Sequence, residues 1–316
     1  MSISVVIPLY NKESNIRDTL QSVVSQTLSP TEVIVVDDGS TDGSAQVVDT
    51  FITDLKSQSL AFPVYLIRKS NGGVCSARNM GIREAQSEYI ALLDADDKWD
   101  KDYLREQVRM ITDFPEAAMW GINYAEVYEG KLIRCLRTGL PDDYRGYMKG
   151  YFQLPDRSSD LFCSSSVVID KKVFREVGLF DERLRYSEDV DMWFRIIATH
   201  KIAFYDRYMV YYQYDAANRA MNRKRLLRYW LPYYADKYKV PPFADNKVFY
   251  EWIMRWCAVC IKRVYFSDES QRDDARNAIS KLDFSCLPYK YNLFFRLPYK
   301  LAFLLYRWDE KRRAKK

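Results

Sequence analysis

The amino-acid sequence predicts an α/β fold: a doubly wound, mostly parallel sheet with flanking helices, followed by a helical C-terminal part. Three observations carry this. Strand and helix signals alternate at short spacing through the first hundred residues, the pattern of parallel strands joined by crossover helices. The strand candidates are apolar at successive positions, as expected where both faces are buried. Each ends in a polar loop rich in Asp, Asn or Gly, and open α/β sheets bind ligands at the carboxyl ends of their strands.

Ile3 to Ile7 is the first strand, followed by Pro8-Leu9-Tyr10-Asn11 and a helix with Ile16, Leu20, Val23, Val24 and Thr27 on one face. Val33 to Val36 is the second and ends in Asp37-Asp38-Gly39-Ser40; Val48, Phe51, Ile52 and Leu55 give the next helix its apolar stripe. Val64 to Ile67 is the third, leading through Asn71-Gly72-Gly73 into a helix over Val74 to Ala85. Tyr89 to Leu93 is the fourth and stops at Asp94-Ala95-Asp96-Asp97. Three acids in four residues cost free energy unless a cation or a set of donors neutralises them, and a hard divalent ion beside a phosphate is a natural partner. An acidic turn that caps the next helix is the plainer alternative. Parallel strands end on one edge, so all four polar loops should gather around one crevice. No Gly-Lys-Ser/Thr phosphate loop and no Gly-x-Gly-x-x-Gly occurs, so any nucleotide is held in another way.

Beyond Asp97, Met119 to Tyr128 and Lys131 to Leu136 read as a hairpin, Arg137 to Asp160 as a polar loop region, and Ser164 to Ile169 as a strand. A second acidic stretch follows at Ser187-Glu188-Asp189-Val190-Asp191-Met192-Trp193-Phe194-Arg195. Ser187 suits an N-cap and first-turn acids suit the positive end of a helix, so capping alone would explain Glu188 and Asp189. Helical spacing puts Val190, Trp193, Phe194 and Ile197 on the buried face, with Asp191 and Arg195 able to pair on the polar side beside Glu188. Asp189 lies about 40° from Trp193, at the border of the apolar face, where a carboxylate can look into a cleft. Leu226 to Tyr238 and Phe249 to Tyr265 read as aromatic-rich helices.

With 316 residues, 48% of them hydrophobic, the chain can bury a sizeable core. Its six cysteines are scattered and read as core thiols of a reducing compartment. The single histidine, His200, leaves almost no material for a His-rich metal site or a Ser-His-Asp triad. The chemistry must run on carboxylates. Met1-Ser2 leads straight into the first strand and no apolar run approaches a bilayer span, so a cytoplasmic location is expected. The net charge of +5 is uneven: Lys290 to Lys316 carries +7 and the rest −2. General affinity for nucleic acid is therefore not implied.

These stretches resemble the family 2 glycosyltransferases of GT-A fold. The resemblance covers about the first two thirds of the chain. It rests on Val5-Val6-Ile7-Pro8-Leu9-Tyr10-Asn11, Val35-Val36-Asp37-Asp38-Gly39-Ser40-Thr41-Asp42, Asn71-Gly72-Gly73 with Ala77-Arg78-Asn79-Met80-Gly81-Ile82, Leu93-Asp94-Ala95-Asp96-Asp97, and Glu188-Asp189-Val190-Asp191 with Trp193 and Arg195. It implies that Pro8, Tyr10, Asn11 and Asp38 line the base and ribose pocket of a nucleotide-sugar, with Asp38 facing the uracil of a UDP-sugar. It further implies that Arg78 contacts the nucleotide end, Asp94 the ribose or sugar, and Asp96 a Mg²⁺ or Mn²⁺ on the diphosphate. Asp189 matches the general base of an inverting transfer, and Glu188, Asp191 and Trp193 stand near it in a supporting position. The implied division is a glycosyltransferase domain over 1–215, with a nucleotide-sugar half (1–100) and an acceptor half (101–215), and a helical region over 216–316.

Two features depart from the family pattern. No His lies between Tyr211 and Asn222 where many relatives place a metal ligand, and His200 comes too early. Asp215, Asn218 or water would have to complete the metal site. The Gln-x-x-Arg-Trp motif of processive synthases is also missing, since Trp252 stands at the Gln position before Arg255-Trp256. One sugar per encounter is the expectation, with a saccharide or lipid-linked saccharide as acceptor. A noncatalytic nucleotide-sugar-binding relative is the rival reading, and intact Asp96 and Asp189 speak against it. A nucleotidyltransferase would need a basic, Gly-rich loop after the first strand, which Pro8 to Asn11 does not supply.

In the tail, Leu301, Leu304, Leu305 and Trp308 recur at helical spacing among Lys300, Arg307, Lys311 and Arg312, with Phe295, Tyr299, Phe303 and Tyr306 as aromatics suited to an interface. Two readings stay open: a helix docked on the body with a solvated basic end, or a peripheral contact with the anionic inner face of the cell membrane.

Overall fold

The computed structural model describes residues 1–56, 62–128, 131–134, 140–153, 161–214 and 225–313. By contact density, Met1–Arg185 with Asp189–Asn222 form one compact unit, and Tyr186–Glu188 with Arg223–Lys316 a second.

The first unit is built on β1 (Ile3–Leu9), β2 (Glu32–Asp37), β3 (Val64–Arg68), β4 (Tyr89–Leu92), β5 (Lys98–Trp99), β6 (Ala117–Tyr128), β7 (Lys131–Arg134), β8 (Arg145–Tyr147), β9 (Val167–Asp170) and β10 (Lys201–Gln213). Its helices are α1 (Ile16–Val24), α2 (Ser44–Lys56), α3 (Val74–Glu84), α4 (Tyr103–Asp113), α5 (Val173–Val177) and α6 (Glu188–Thr199). All strands join one sheet in the order β3-β2-β1-β4-β9-β6-β10-β5, with β7 on β6 and β8 on β10. The first four strands are parallel, as expected from their unbroken apolar runs, and β1 and β2 are buried along their whole length. Helix α3 lies close against β1 because residue 81 is glycine: a Cβ there would sit 2.4 Å from Val6 Cγ1. The sheet changes character at β9, which runs antiparallel to both β4 and β6.

Three strands go beyond the sequence reading. β10, the longest strand among the described residues, carries no continuous strand signal, because Asp206-Arg207 interrupts its apolar run; there the register against β6 shifts between Tyr205 and Val210. β5 consists of two residues, too short for any periodicity to register. The region read as a polar loop over 137–160 contributes β8. The expected hairpin is present as β6 and β7, and Glu129-Gly130 lie outside the described residues.

The second unit holds α7 (Lys247–Ser267), α8 (Arg272–Ser280), α9 (Tyr289–Arg296) and α10 (Tyr299–Arg313). The helix expected over 226–238 is instead two 3₁₀ segments, Leu227–Tyr229 and Leu231–Tyr238, kinked at Tyr234. Pro232, which has no N–H to donate, is the second residue of the second segment, where no partner is required. In α10, Tyr299, Ala302, Phe303 and Tyr306 pack around Phe266 and Phe294, with the rings of Phe266 and Tyr306 stacked 4.9 Å apart. Tyr299, Phe303 and Tyr306, with Leu305, are therefore packing residues, a correction to the reading of the three rings as aromatics at an interface and of Leu305 as part of the Leu/Trp face. No helix of the described residues is long and apolar enough to cross a membrane.

Candidate active site

The loop after β1 is shaped by Pro8 and Asn11. The β1–β4 register ends at Val6 opposite Leu92, while β1–β2 pairing continues to Leu9 opposite Asp37. Backbone groups of a parallel strand point alternately to its two neighbours. Leu9 bonds toward β2 through Asp38 N and Val6 toward β4 through Leu93 N, so the donor that Pro8 lacks would have faced β4. Pairing stops there and the chain after Leu93 is released. Pro8 itself is a buried strand residue; Tyr10 is exposed. Asn11 has φ of 52°, a left-handed conformation that Asn tolerates better than most residues. Its backbone N–H donates to Ser40 Oγ (3.1 Å) and its Oδ1 accepts from Thr41 N (2.8 Å), which ties the β1 loop to the β2 loop.

Asp38 binds the third loop. It is 2% exposed. Its Oδ1 accepts from Lys69 Nζ (2.6 Å) and Gly72 N (2.9 Å), and its Oδ2 from Gly73 N (2.7 Å). Gly39 permits this closeness: its φ is +72°, and a Cβ there would lie 2.9 Å from Asn71 N.

The three acids after β4 separate. Asp94 accepts from Arg78 (2.7 Å), whose guanidinium is buried and lies over the Phe180 ring. Asp96 pairs with Lys12 Nζ at 2.7 Å, which joins the β1 and β4 loops. Asp97 is buried, accepting from Ser165 Oγ and from Gln213 N (3.1 Å). Burial raises the Asp96 carboxyl above its ordinary value, with Lys12 opposing. It raises Asp97 well above, helped by repulsion from Asp96 and Asp94 and opposed by Ser165 and Gln213. Lys12, Arg78 and neutral donors thus supply the neutralisation that the acidic run demands.

Helix α6 divides its acids in the same way. Asp189 is half-buried and accepts from the Val190 N–H (2.7 Å). Asp191 is fully buried and paired with Arg195 at 2.9 Å, whose guanidinium also donates to the carbonyl oxygens of Val177, Gly178 and Leu179. The expected polar side of the helix is therefore interior, while Val190 and Ile197 are only half-buried. A helical wheel cannot anticipate three carbonyls left open at the end of α5. Asp191 holds this turn, and its carboxylate is spent on Arg195. Trp193 is buried edge-on to Phe180, with no acceptor for its indole N–H among the described residues. Glu188 is half-buried. Ser187 has φ of 56°, and its hydroxyl accepts from Trp230 Nε1 (2.9 Å).

Burial pushes the Cys163 thiol up, the charge of Asp97 and more weakly those of Asp94 and Asp189 push it further, and a hydrogen bond with Ser166 opposes them. Lys12 and Lys69 escape the sequence analysis, although each adjoins one of the polar loops. Cys163 is a buried thiol as expected, and Ser165 lies in the stretch expected to be a strand, where Ser164–Ser166 form a 3₁₀ turn before β9. Asn79 belongs to the same framework: it donates to Phe180 O and accepts from Phe180 N, both at 2.9 Å, tying α3 to the segment before α6. His200 sits at the end of α6 against Glu176 (2.8 Å). Asp215 and Asn218 lie outside the described residues.

Among the described residues no cluster of three or more His, Cys, Asp or Glu could hold a metal by itself. The donor set fits a shared ion instead. Asp96 offers hard carboxylate oxygens and already attracts one cation, the Lys12 ammonium. One or two carboxylates suffice where phosphate oxygens and water complete the shell.

A mixed sheet with polar loops gathered at the carboxyl edge of its parallel strands, flanked by helices, is the GT-A fold. The family model described as Glycosyl transferase family 2 matches residues 4–178, and the chain belongs to that family. An uncharacterized glycosyltransferase of Rickettsia felis is 30% identical over 205 residues, covering 64% of this chain and 32% of the relative, so the chain spans about a third of that relative's length. A putative teichuronic acid biosynthesis glycosyltransferase of Bacillus subtilis, TuaG, is 39% identical over 111 residues, 35% of this chain and 42% of the relative. Among solved structures, S. aureus TarS in complex with UDP-GlcNAc superposes with a TM-score of 0.58 at 19% identity, over 95% of this chain and 77% of that chain. At that identity the likeness is one of fold.

Proposed function

We propose that this protein is an inverting glycosyltransferase that moves one sugar from a UDP-sugar to an acceptor hydroxyl, with Mg²⁺ or Mn²⁺ on the diphosphate, in the assembly of a cell-surface polysaccharide or glycolipid. The observation that carries the reading is the joining of four strand-end loops by Asn11, Lys12 and Asp38, with Asp96 paired to Lys12 among them. The UDP complex of the TarS neighbour and the naming of the B. subtilis relative for teichuronic acid support the donor and the setting.

A carboxylate has about four acceptor sites and Asp38 uses three, so it keeps capacity for the N3–H of uracil. Asp94, fixed by Arg78, faces the ribose or sugar. Asp96 would hold a divalent ion, which would supply charge neutralisation for the departing diphosphate in place of a general acid. Asp189 takes the proton from the acceptor hydroxyl as its oxygen attacks the anomeric carbon. The new C–O bond forms opposite the breaking bond, the nucleoside diphosphate leaves with the old bonding pair, and the anomeric centre inverts. Acceptor choice is assigned to 137–160 and the helical second unit.

The test is calorimetric binding and slow hydrolysis with a panel of nucleotide-sugars, with Mn²⁺ or Mg²⁺ and with chelator. UDP-sugars should bind first and only with metal. Metal-independent binding, or a clear preference for another nucleotide, would remove the roles given to Asp96 and Asp38.

A further inference from the structure

The C-terminal helix carries apolar residues on two sides, one packed and, among the described residues, one exposed. Tyr299, Ala302, Phe303 and Tyr306 pack on Phe266 and Phe294. By helical register, Arg307, Lys300, Leu304, Trp308 and Leu301 fall within an arc of about 120° on the other side. Leu301, Leu304 and Trp308 are 53%, 63% and 61% exposed, and Lys300 and Arg307 are exposed beside them. Helix α9 repeats the mixture, with Tyr289 and Leu293 exposed together with Lys290 and Arg296. From Lys290 onward no acid occurs before Asp309.

Scattered exposed apolar residues are ordinary. Three large ones on one arc, with Arg307 and Lys300 along one edge and no acid among the described side chains of that face, are not explained by solvation. We propose that this face of α10 docks on an anionic lipid surface. Leucine and tryptophan at this spacing enter the boundary between headgroups and acyl chains, while Lys and Arg stems lie along the apolar surface and keep their charge among anionic headgroups. A second copy of the chain fits less well, because a twofold contact buries the same face of both copies, and the described residues of this face offer Lys300 and Arg307 no acid to pair with. The proposal is independent of the donor and of the chemistry.

The experiment is co-sedimentation of the full chain with phosphatidylcholine vesicles and with phosphatidylcholine/phosphatidylglycerol vesicles, at low and high salt. Wild type should bind the anionic vesicles and lose binding as salt rises. Leu301→Ser/Leu304→Ser/Trp308→Ser should weaken binding by about a hundredfold or more. Lys300→Glu/Arg307→Glu should weaken it by at least about thirtyfold. All five side chains are exposed, so melting temperatures should stay at the wild-type value; if the apolar variant melts early, the charge variant supplies the readout. Equal binding to neutral vesicles, wild-type binding by both variants, or a dimer in light scattering that the apolar variant abolishes would each overturn the proposal.

Discussion

The end of β4 and the first turn of α6 each place three acids within four residues, and the fold treats the two sets alike. In each, one acid is buried and structural: Asp97 on Ser165 and Gln213, Asp191 on Arg195. In each, another stays nearer the surface: Asp96 on Lys12, Asp189 half-buried at the helix start. The sets differ in what neutralises the buried member. Asp191 has a full cation, whereas Asp97 has only neutral donors and two acidic neighbours, so its ionisation is opposed. Depth and partner, not residue type, separate scaffold from chemistry.

The largest expected effect falls on the scaffold. Asp191→Ala leaves Arg195 buried without its counter-ion, which costs about 3–5 kcal/mol. Urea unfolding should show this as a lowered midpoint. A stable variant that had lost transfer would instead put Asp191 in the chemistry and undo the comparison.

Asp189→Asn should lower transfer by about 10² or more while donor binding stays within about twofold, because general-base assistance alone is commonly worth that much. Steady-state rates and calorimetry on the same preparation separate the two. Full activity in the Asn variant would move the base to Glu188.

Smaller again, Asp96→Asn should weaken UDP binding in Mn²⁺ by about tenfold, through loss of a charged oxygen ligand, and raise the Mn²⁺ concentration needed for half-maximal binding. Weaker binding at an unchanged Mn²⁺ requirement would give Asp96 a packing role like that of Asp97.

The smallest effect tests the buried acid through pH. Asp97 has a folded-state value raised above the ordinary 3.8, so its ionisation costs stability as pH rises from the unfolded value toward the folded one, and the cost levels off above that. Asparagine cannot ionise and still accepts from Gln213 N. Asp97→Asn should therefore melt above wild type at pH 8, with the gap closing as pH falls to about 4. A gap independent of pH would mean that hydrogen bonding alone decides the site.

The parallel half of the sheet and its four loops were legible because their signals are local. Unbroken apolar runs mark buried parallel strands, and Asp, Asn and Gly mark the ends where such runs must turn. Pro8, Asp38, Asp94 and Asp96 could be placed at one edge from that pattern alone, since parallel strands leave no other arrangement. The tertiary structure decided what no local period carries. Lys12 and Lys69 became counter-ions because crossover connections bring loops from different strands together. Asp191 and Arg195 went inside because the carbonyls of 177–179 face them. Strand β10 formed across Asp206-Arg207 because β6 offered a partner on both sides of the register shift. In α10, periodicity announced one Leu/Trp face with aromatics beside it, and only the position of Phe266 and Phe294 decided that Leu305 and the aromatics would be covered while Leu301, Leu304 and Trp308 stayed exposed.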